Sequence, residues 1–156
     1  MAADLGRALL RRWQGYRRLS PADRGLAWRG ALLLALTTLL LRLLPMQRVV
    51  SLLARLTPRA VPPAPDARRQ AKHIADLFVA VANLHPLPAT CLPRAVTLWW
   101  LLRRAGIDAA IVLGVQPQGG AVAAHAWVEA AGHVLGDPQR IHQAYSTILA
   151  RFPMRQ

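Results

Sequence analysis

Four prolines fall between Thr57 and Asp66: Pro58, Pro62, Pro63 and Pro65. Each lacks the N–H that a helix interior or an inner strand needs, so neither element can run through this stretch. It reads as a linker or a stiff loop and divides the 156-residue chain. The expected organisation is an N-terminal helical region over residues 1–57, a proline-rich linker over 58–66 and a core over 67–156.

Ahead of the prolines the pattern is helical. Leu5, Leu9, Trp13 and Tyr16 recur at helical spacing among arginines. Ser20-Pro21-Ala22-Asp23 is a helix start: Ser20 can accept from a free backbone N–H, Pro21 suits the first turn, and Asp23 favours the positive helix end. This helix can run to Leu44, where Pro45 stops it. Leu33, Leu34, Leu36, Leu39, Leu40 and Leu41 cover nearly its whole circumference. A helix apolar all round is buried, lies in a membrane surface or meets a partner. Its uncharged part, Gly30–Leu41, rises only about 18 Å against about 30 Å of hydrocarbon, too short to span. Val49, Val50, Leu52, Leu53 and Leu56 predict a short third helix.

The net charge of +13 is concentrated in the same region. Residues 1–60 hold eleven Arg and two acids, +9; residues 61–156 hold nine Lys and Arg and five acids, +4. This excess fits a solvated face, an acidic partner or an anionic membrane surface. No nucleic-acid-binding motif accompanies it, so nucleic acid is not an expected partner. The chain opens without an apolar run and cleavage site, which favours a cytoplasmic location with peripheral membrane contact as an option.

After the linker, Asp66–Leu84 reads as a helix, broken by His85-Pro86-Leu87-Pro88. Cys91–Ala105 reads as another, closed by Gly106. Ile107–Gln116 then alternates as a strand, Pro117–Gly120 turns, Ala121–Ala130 forms a second strand, and Ala131-Gly132 leads into a third, His133–Asp137. Helices followed by an antiparallel meander make an α+β architecture.

The chemistry centres on Cys91, the only cysteine, which rules out an internal disulfide. A helix N-terminus favours the thiolate, the form that attacks carbonyl carbon. An isolated cysteine is more often a small buried apolar residue. His125 alters that balance, because a base that reached sulfur could take the thiol proton. Asp137 follows twelve residues later, past one tight turn, where an antiparallel neighbour returns to the height of His125. A carboxylate there can hold the imidazole tautomer. Alone, His125 could be solvated and Asp137-Pro138 an ordinary turn. Together they nominate Cys91, His125 and Asp137 as catalytic residues.

Arg94, one turn after Cys91, is a salt-bridge former or a substrate anchor, and Trp127 packs or walls the cleft beside His125. Both are nominated as substrate-binding. Trp99 and Trp100 fit the core, and Glu129 can pair with an arginine. No close ligand pair such as Cys-x-x-Cys is present, so no metal and no cofactor are expected.

The runs Cys91-Leu92-Pro93-Arg94-Ala95-Val96-Thr97-Leu98, Leu101–Ala109, Gly114-Val115, Ala124-His125-Ala126-Trp127-Val128-Glu129, Gly132 and Asp137 resemble the B2 leader peptidases of lasso-peptide biosynthesis. The likeness covers about Thr90–Pro138. It departs at Gly119–Ala123, where a bulkier approach to the histidine strand is expected. The resemblance implies a transglutaminase-like, papain-like core: a cysteine-bearing helix packed on an antiparallel sheet, with a Cys-His-Asp triad. It also implies partners, namely a precursor peptide with a leader, a B1-type leader-recognition protein and the macrolactam-forming cyclase. The alternatives are a transglutaminase-like acyl transferase, which passes the same acyl group to an amine, and a non-catalytic scaffold of the same fold.

Overall fold

A computed structural model describes residues 19–57, 66–86, 89–118, 121–137, 145 and 147–152. The amphipathic run Leu5–Tyr16 and most of the proline segment lie outside the described residues. Among the described residues four helices come first: α1 Pro21–Leu43, α2 Met46–Arg55, α3 Ala67–Leu84 and α4 Cys91–Arg104. Four strands follow: β1 Ala109–Gln118, β2 Ala121–Ala130, β3 His133–Leu135 and β4 Thr147–Phe152. The architecture is α+β.

The helix boundaries follow from local chemistry. Ser20 Oγ accepts from the Asp23 amide at 3.1 Å and donates to Asp23 Oδ2 at 2.8 Å, capping α1. Leu44, forced extended by the following Pro45, ends it. Gly106 adopts φ +78°, a left-handed conformation that closes α4 at little cost.

Helix α1 is longer than its uncharged stretch. At 23 residues the whole helix is long and apolar enough to cross a membrane by length and composition, whereas its uncharged stretch Gly30–Leu41 alone is too short. One face nevertheless belongs to the protein core. Ala27, Gly30, Leu34, Thr37 and Thr38 are buried. A methyl group on Gly30 would lie 3.4 Å from Phe78 of α3, so the two helices approach closely there. Thr97 of α4 donates to Thr37 Oγ1 at 3.2 Å. Thr37 donates to the Leu33 carbonyl one turn back, and the single Thr97 proton is shared between Thr37 and the Pro93 carbonyl at 2.8 Å, so these buried hydroxyls are satisfied.

The sheet order is β3-β2-β1-β4, with every neighbouring pair antiparallel. Ala131 (φ 50°) and Gly132 (φ 75°) make the tight turn between β2 and β3, both in the left-handed region that such a turn demands. Strand β3 ends at Leu135, two residues before the expected limit at Asp137. Gly136 turns the backbone away at φ +79°. A fourth strand, β4, was not anticipated; it pairs with β1 through a bulge between Leu113 and Gly114.

The sheet's inner face meets the helices. Ile111, Ala126, Val128 and Leu135 join Val96, Leu98, Trp99 and Leu102 of α4, together with Ile74 and Phe78 of α3, in one core. Trp99 is fully buried and donates Nε1–H to the Ala109 carbonyl at 3.0 Å. Trp100 Nε1 donates to the Leu53 carbonyl at 3.2 Å, tying α4 to α2. Burying one large apolar side chain of this kind contributes roughly 1.5–3 kcal/mol.

Candidate active site

Cys91 is the first residue of α4 and is half-buried. Thr90, at the cap position, makes no side-chain capping bond, and Pro93 has no N–H to offer. The first turn of α4, where the thiol sits, is therefore left without a side-chain cap. Arg94, one turn on, donates Nη2–H to Asn83 Oδ1 at 2.7 Å, joining the start of α4 to the end of α3.

His125 projects from β2, directly across from Gly114 of β1. Its Nε2 lies 3.3 Å from Asp137 Oδ1, with the two side chains 20% and 30% exposed. A carboxylate can only accept here, so this contact places a proton on Nε2, and the tautomer it selects has its lone pair on Nδ1. Asp137 reaches this position because Gly136 passes hard against α4. A Cβ on Gly136 would lie 2.8 Å from Leu98 Cδ2.

Cys91, His125, Asp137 and Arg94 line one cleft of about 200 Å³, between the start of α4 and the end of β3. Among the described residues no hydrogen bond joins Cys91 to His125. Catalytic hydrogen bonds are often long before substrate arrives and tighten in the complex. A larger groove of about 1010 Å³ runs between α3 and β3 and shares Val79, Leu135, Gly136 and Asp137 with the cleft. The smaller cleft is the candidate site, because it alone is lined by thiol, imidazole and carboxylate together. Among the described residues no group of three His, Cys, Asp or Glu side chains is arranged to hold a metal ion.

A family model described as the transglutaminase-like superfamily matches residues 31–150, from within α1 to β4. The chain belongs to the transglutaminase-like superfamily. Members of that superfamily are typically cysteine peptidases and acyltransferases built on this α+β arrangement. No curated protein and no solved structure matches the chain.

In this transglutaminase-like chain, Trp127 sits apart from the cleft. It is fully buried and packs with Val112, Val134 and Tyr145 on the outer face of the sheet. Its Nε1–H donates to Glu129 Oε1 at 2.9 Å, and Glu129 Oε2 pairs with Arg151 of β4 at 2.7 Å. Trp127 thus stands beside the imidazole at 6.3 Å between ring centroids, without lining the space a substrate would enter.

Two contributors were missed by sequence reasoning. Tyr145 stacks on His125 at 5.3 Å between centroids. Gly114 makes room for this arrangement: a Cβ there would lie 2.7 Å from the Trp127 ring and 2.9 Å from Tyr145 Cβ. The sequence signal for Gly114 was a glycine interrupting a strand, which marks close approach of another group.

Proposed function

We propose that this protein is a cysteine peptidase that removes the leader from a ribosomally made precursor during lasso-peptide biosynthesis. The supporting observation is the cleft that Cys91, at the start of α4, shares with the His125–Asp137 pair. The narrower choice of substrate rests on the likeness of the Cys91 and His125 runs to the B2 leader peptidases.

In this reading His125 Nδ1 takes the thiol proton and the Cys91 thiolate attacks the scissile carbonyl. The C–N bond breaks, His125 hands its proton to the leaving amine, and the leader remains as a thioester on Cys91. Water, deprotonated by His125, attacks the thioester, and the thiol is regenerated as the leader acid departs. Asp137 keeps Nε2–H pointed away from sulfur and stabilises the imidazolium. Arg94 borders the cleft as a substrate contact. The amine freed on the peptide downstream of the leader is the nucleophile that the macrolactam-forming cyclase requires.

The test is incubation of the purified chain with a leader-containing lasso precursor, with and without a B1-type recognition protein, read by mass. Cleavage is expected at one bond, stimulated by the partner. Cys91→Ala abolishes it, His125→Ala is nearly as damaging, and Asp137→Ala is milder because it orients rather than reacts. Cleavage by a folded Cys91→Ala protein would overturn the mechanism. Transfer of the acyl group to an added amine, with no hydrolysis, would assign the acyl-transferase reaction instead.

A further inference from the structure

Helix α1 carries two apolar faces, one packed in the core and one exposed. The inner face is Ala27, Gly30, Leu34, Thr37 and Thr38, all buried. The outer one is a row of long side chains: Trp28 (61% exposed), Leu32 (67%), Leu36 (47%), Leu39 (53%) and Leu43 (70%). Their spacing of four, four, three and four residues keeps them within an arc of about 80° along some 22 Å of helix, at 100° and 1.5 Å per residue. By the same geometry this arc lies opposite the buried one. Scattered single exposed leucines need no explanation, but an unbroken row of five marks a surface that meets something apolar.

The charges around the row identify what that is. No Asp or Glu occurs from Arg24 to Pro65, while six arginines do. On the helical wheel Arg29 flanks the row on one side, and Arg24 and Arg42 flank it on the other, each about 60–80° from its centre. Arg29 and Arg42 are exposed, as are Arg48 and Arg55 on the next helix, α2. Leu52 (47% exposed) and Leu56 (57%) add apolar surface on α2. A Trp/Leu row bordered by long cations and free of acids is the composition of a helix lying in the plane of an anionic bilayer surface. Arginine side chains at the border can rest their stems on apolar surface and keep the guanidinium at headgroup level.

Two other occupants fit less well. A second copy would set arginine against arginine across the seam, with no acid on either α1 helix beyond Asp23 to relieve them. A protein partner held by anchor residues favours a concave receptor, because binding energy concentrates in desolvated pockets. The main cavities lie elsewhere, between α3 and β3, at the Cys91 cleft and along β1 and β4, and the small one on α2 contains none of the five row residues. The row is convex, which suits a deformable lipid surface.

We propose that the outer face of α1 is a peripheral membrane-binding surface for anionic lipid, with α1 lying in the interface plane. Its inner face stays packed on α3 and α4, so the helix need not leave the core to bind. The lipid chemistry is a phosphate-bearing headgroup of net negative charge above an acyl layer reached by the leucines.

The test uses the full chain and vesicle flotation. Vesicles of equal parts phosphatidylglycerol and phosphatidylcholine are expected to carry the protein, and vesicles of phosphatidylcholine alone are not. Binding falls as salt rises. Leu32→Glu with Leu39→Glu lowers partitioning by about a hundredfold or more, because two charges must enter the interface where methyl groups did. Arg29→Glu with Arg42→Glu lowers it by roughly tenfold or more and removes the preference for phosphatidylglycerol. Both pairs are exposed and distant from the cleft, so circular dichroism and the rate of Cys91 alkylation stay at wild-type values. The proposal fails if wild-type protein ignores anionic vesicles, or if either double variant floats as well as wild type. It also fails if light scattering shows a dimer that Leu32→Glu with Leu39→Glu dissolves while vesicles stay unbound. Retention of a B1-type partner by the wild type and not by that variant, again without vesicle binding, would assign the row to a protein.

Discussion

The two faces of the sheet are built on different principles. The inner face is a broad aliphatic and aromatic core shared with α3 and α4, in which Trp99, Leu102, Ile111 and Val96 are fully buried. Among the described residues the outer face buries Val112, Trp127 and Val134, with Tyr145 packed beside them. Yet His125 leans on this smaller cluster. Stability resides on the first face, while orientation of the imidazole resides on the second. The lesson is that a small packed cluster can fix a single side chain while contributing a modest share of folding energy.

That contrast can be broken most severely from the inner face. Trp99→Ala removes a fully buried indole and its hydrogen bond, and about 3–5 kcal/mol of unfolding free energy is expected to disappear. Denaturant titration measures it; a loss under about 1 kcal/mol would mean the inner face is not the main store of stability.

Gly114→Ala acts on the outer face. The new methyl overlaps the Trp127 ring and the Tyr145 Cβ, so those groups must shift, at about 1–3 kcal/mol. If the outer cluster sets the imidazole, leader cleavage under the proposed function drops at least about tenfold even where the protein remains folded, since small misplacements of catalytic groups are costly. Unchanged cleavage in a destabilised Gly114→Ala protein would separate the cluster from the site.

Glu129→Gln is gentler. The amide oxygen can still accept from Trp127, but the pair with Arg151 is lost. Arg151 is half exposed and Glu129 a fifth exposed, so screening limits the expected loss to about 0.2–1 kcal/mol by thermal unfolding.

The smallest effect lies away from both faces, where α1 meets α3 at the surface. The hydrogen bond with His73, and then that with Ser20, hold the Asp23 carboxyl below its ordinary value of 3.8. A carboxyl depressed in the folded state stabilises above its unfolded value, and that contribution is lost as pH falls through the folded value. The melting-temperature difference between wild type and Asp23→Asn is therefore expected to shrink when pH drops from neutral to about 3. A difference that does not change with pH would remove the carboxylate's charge from the account.

Much of this layout was readable from residue order. Pro93 and Gly106 bracket a helix that has to begin near Cys91. Ala131-Gly132 forces a tight turn, and a tight turn returns the chain to the height of His125, where Asp137 now lies 3.3 Å from its Nε2. Alternation on β2 separated His125 and Trp127 from Ala126 and Val128. It could not tell that the outer face is itself covered, because the cover includes Tyr145, distant in sequence. Nothing periodic between Pro138 and Ser146 points to that return, and the strand Thr147–Phe152 is too short to announce itself. The doubly apolar α1 was legible as a puzzle. Which half turns inward depended on where α3 and α4 stand.

Strand β4 sits at the sheet's edge, and most of its residues are exposed. It joins β1 across the intervening chain of residues 119–146, whereas β1, β2 and β3 are stitched by neighbouring turns. Contacts between remote segments form late and open early. Amide hydrogens of β4 are thus expected to exchange with solvent sooner than those of β1 and β2. Each such opening loosens the sheet near Tyr145, so the wall behind His125 is expected to be the first part of the site to come undone.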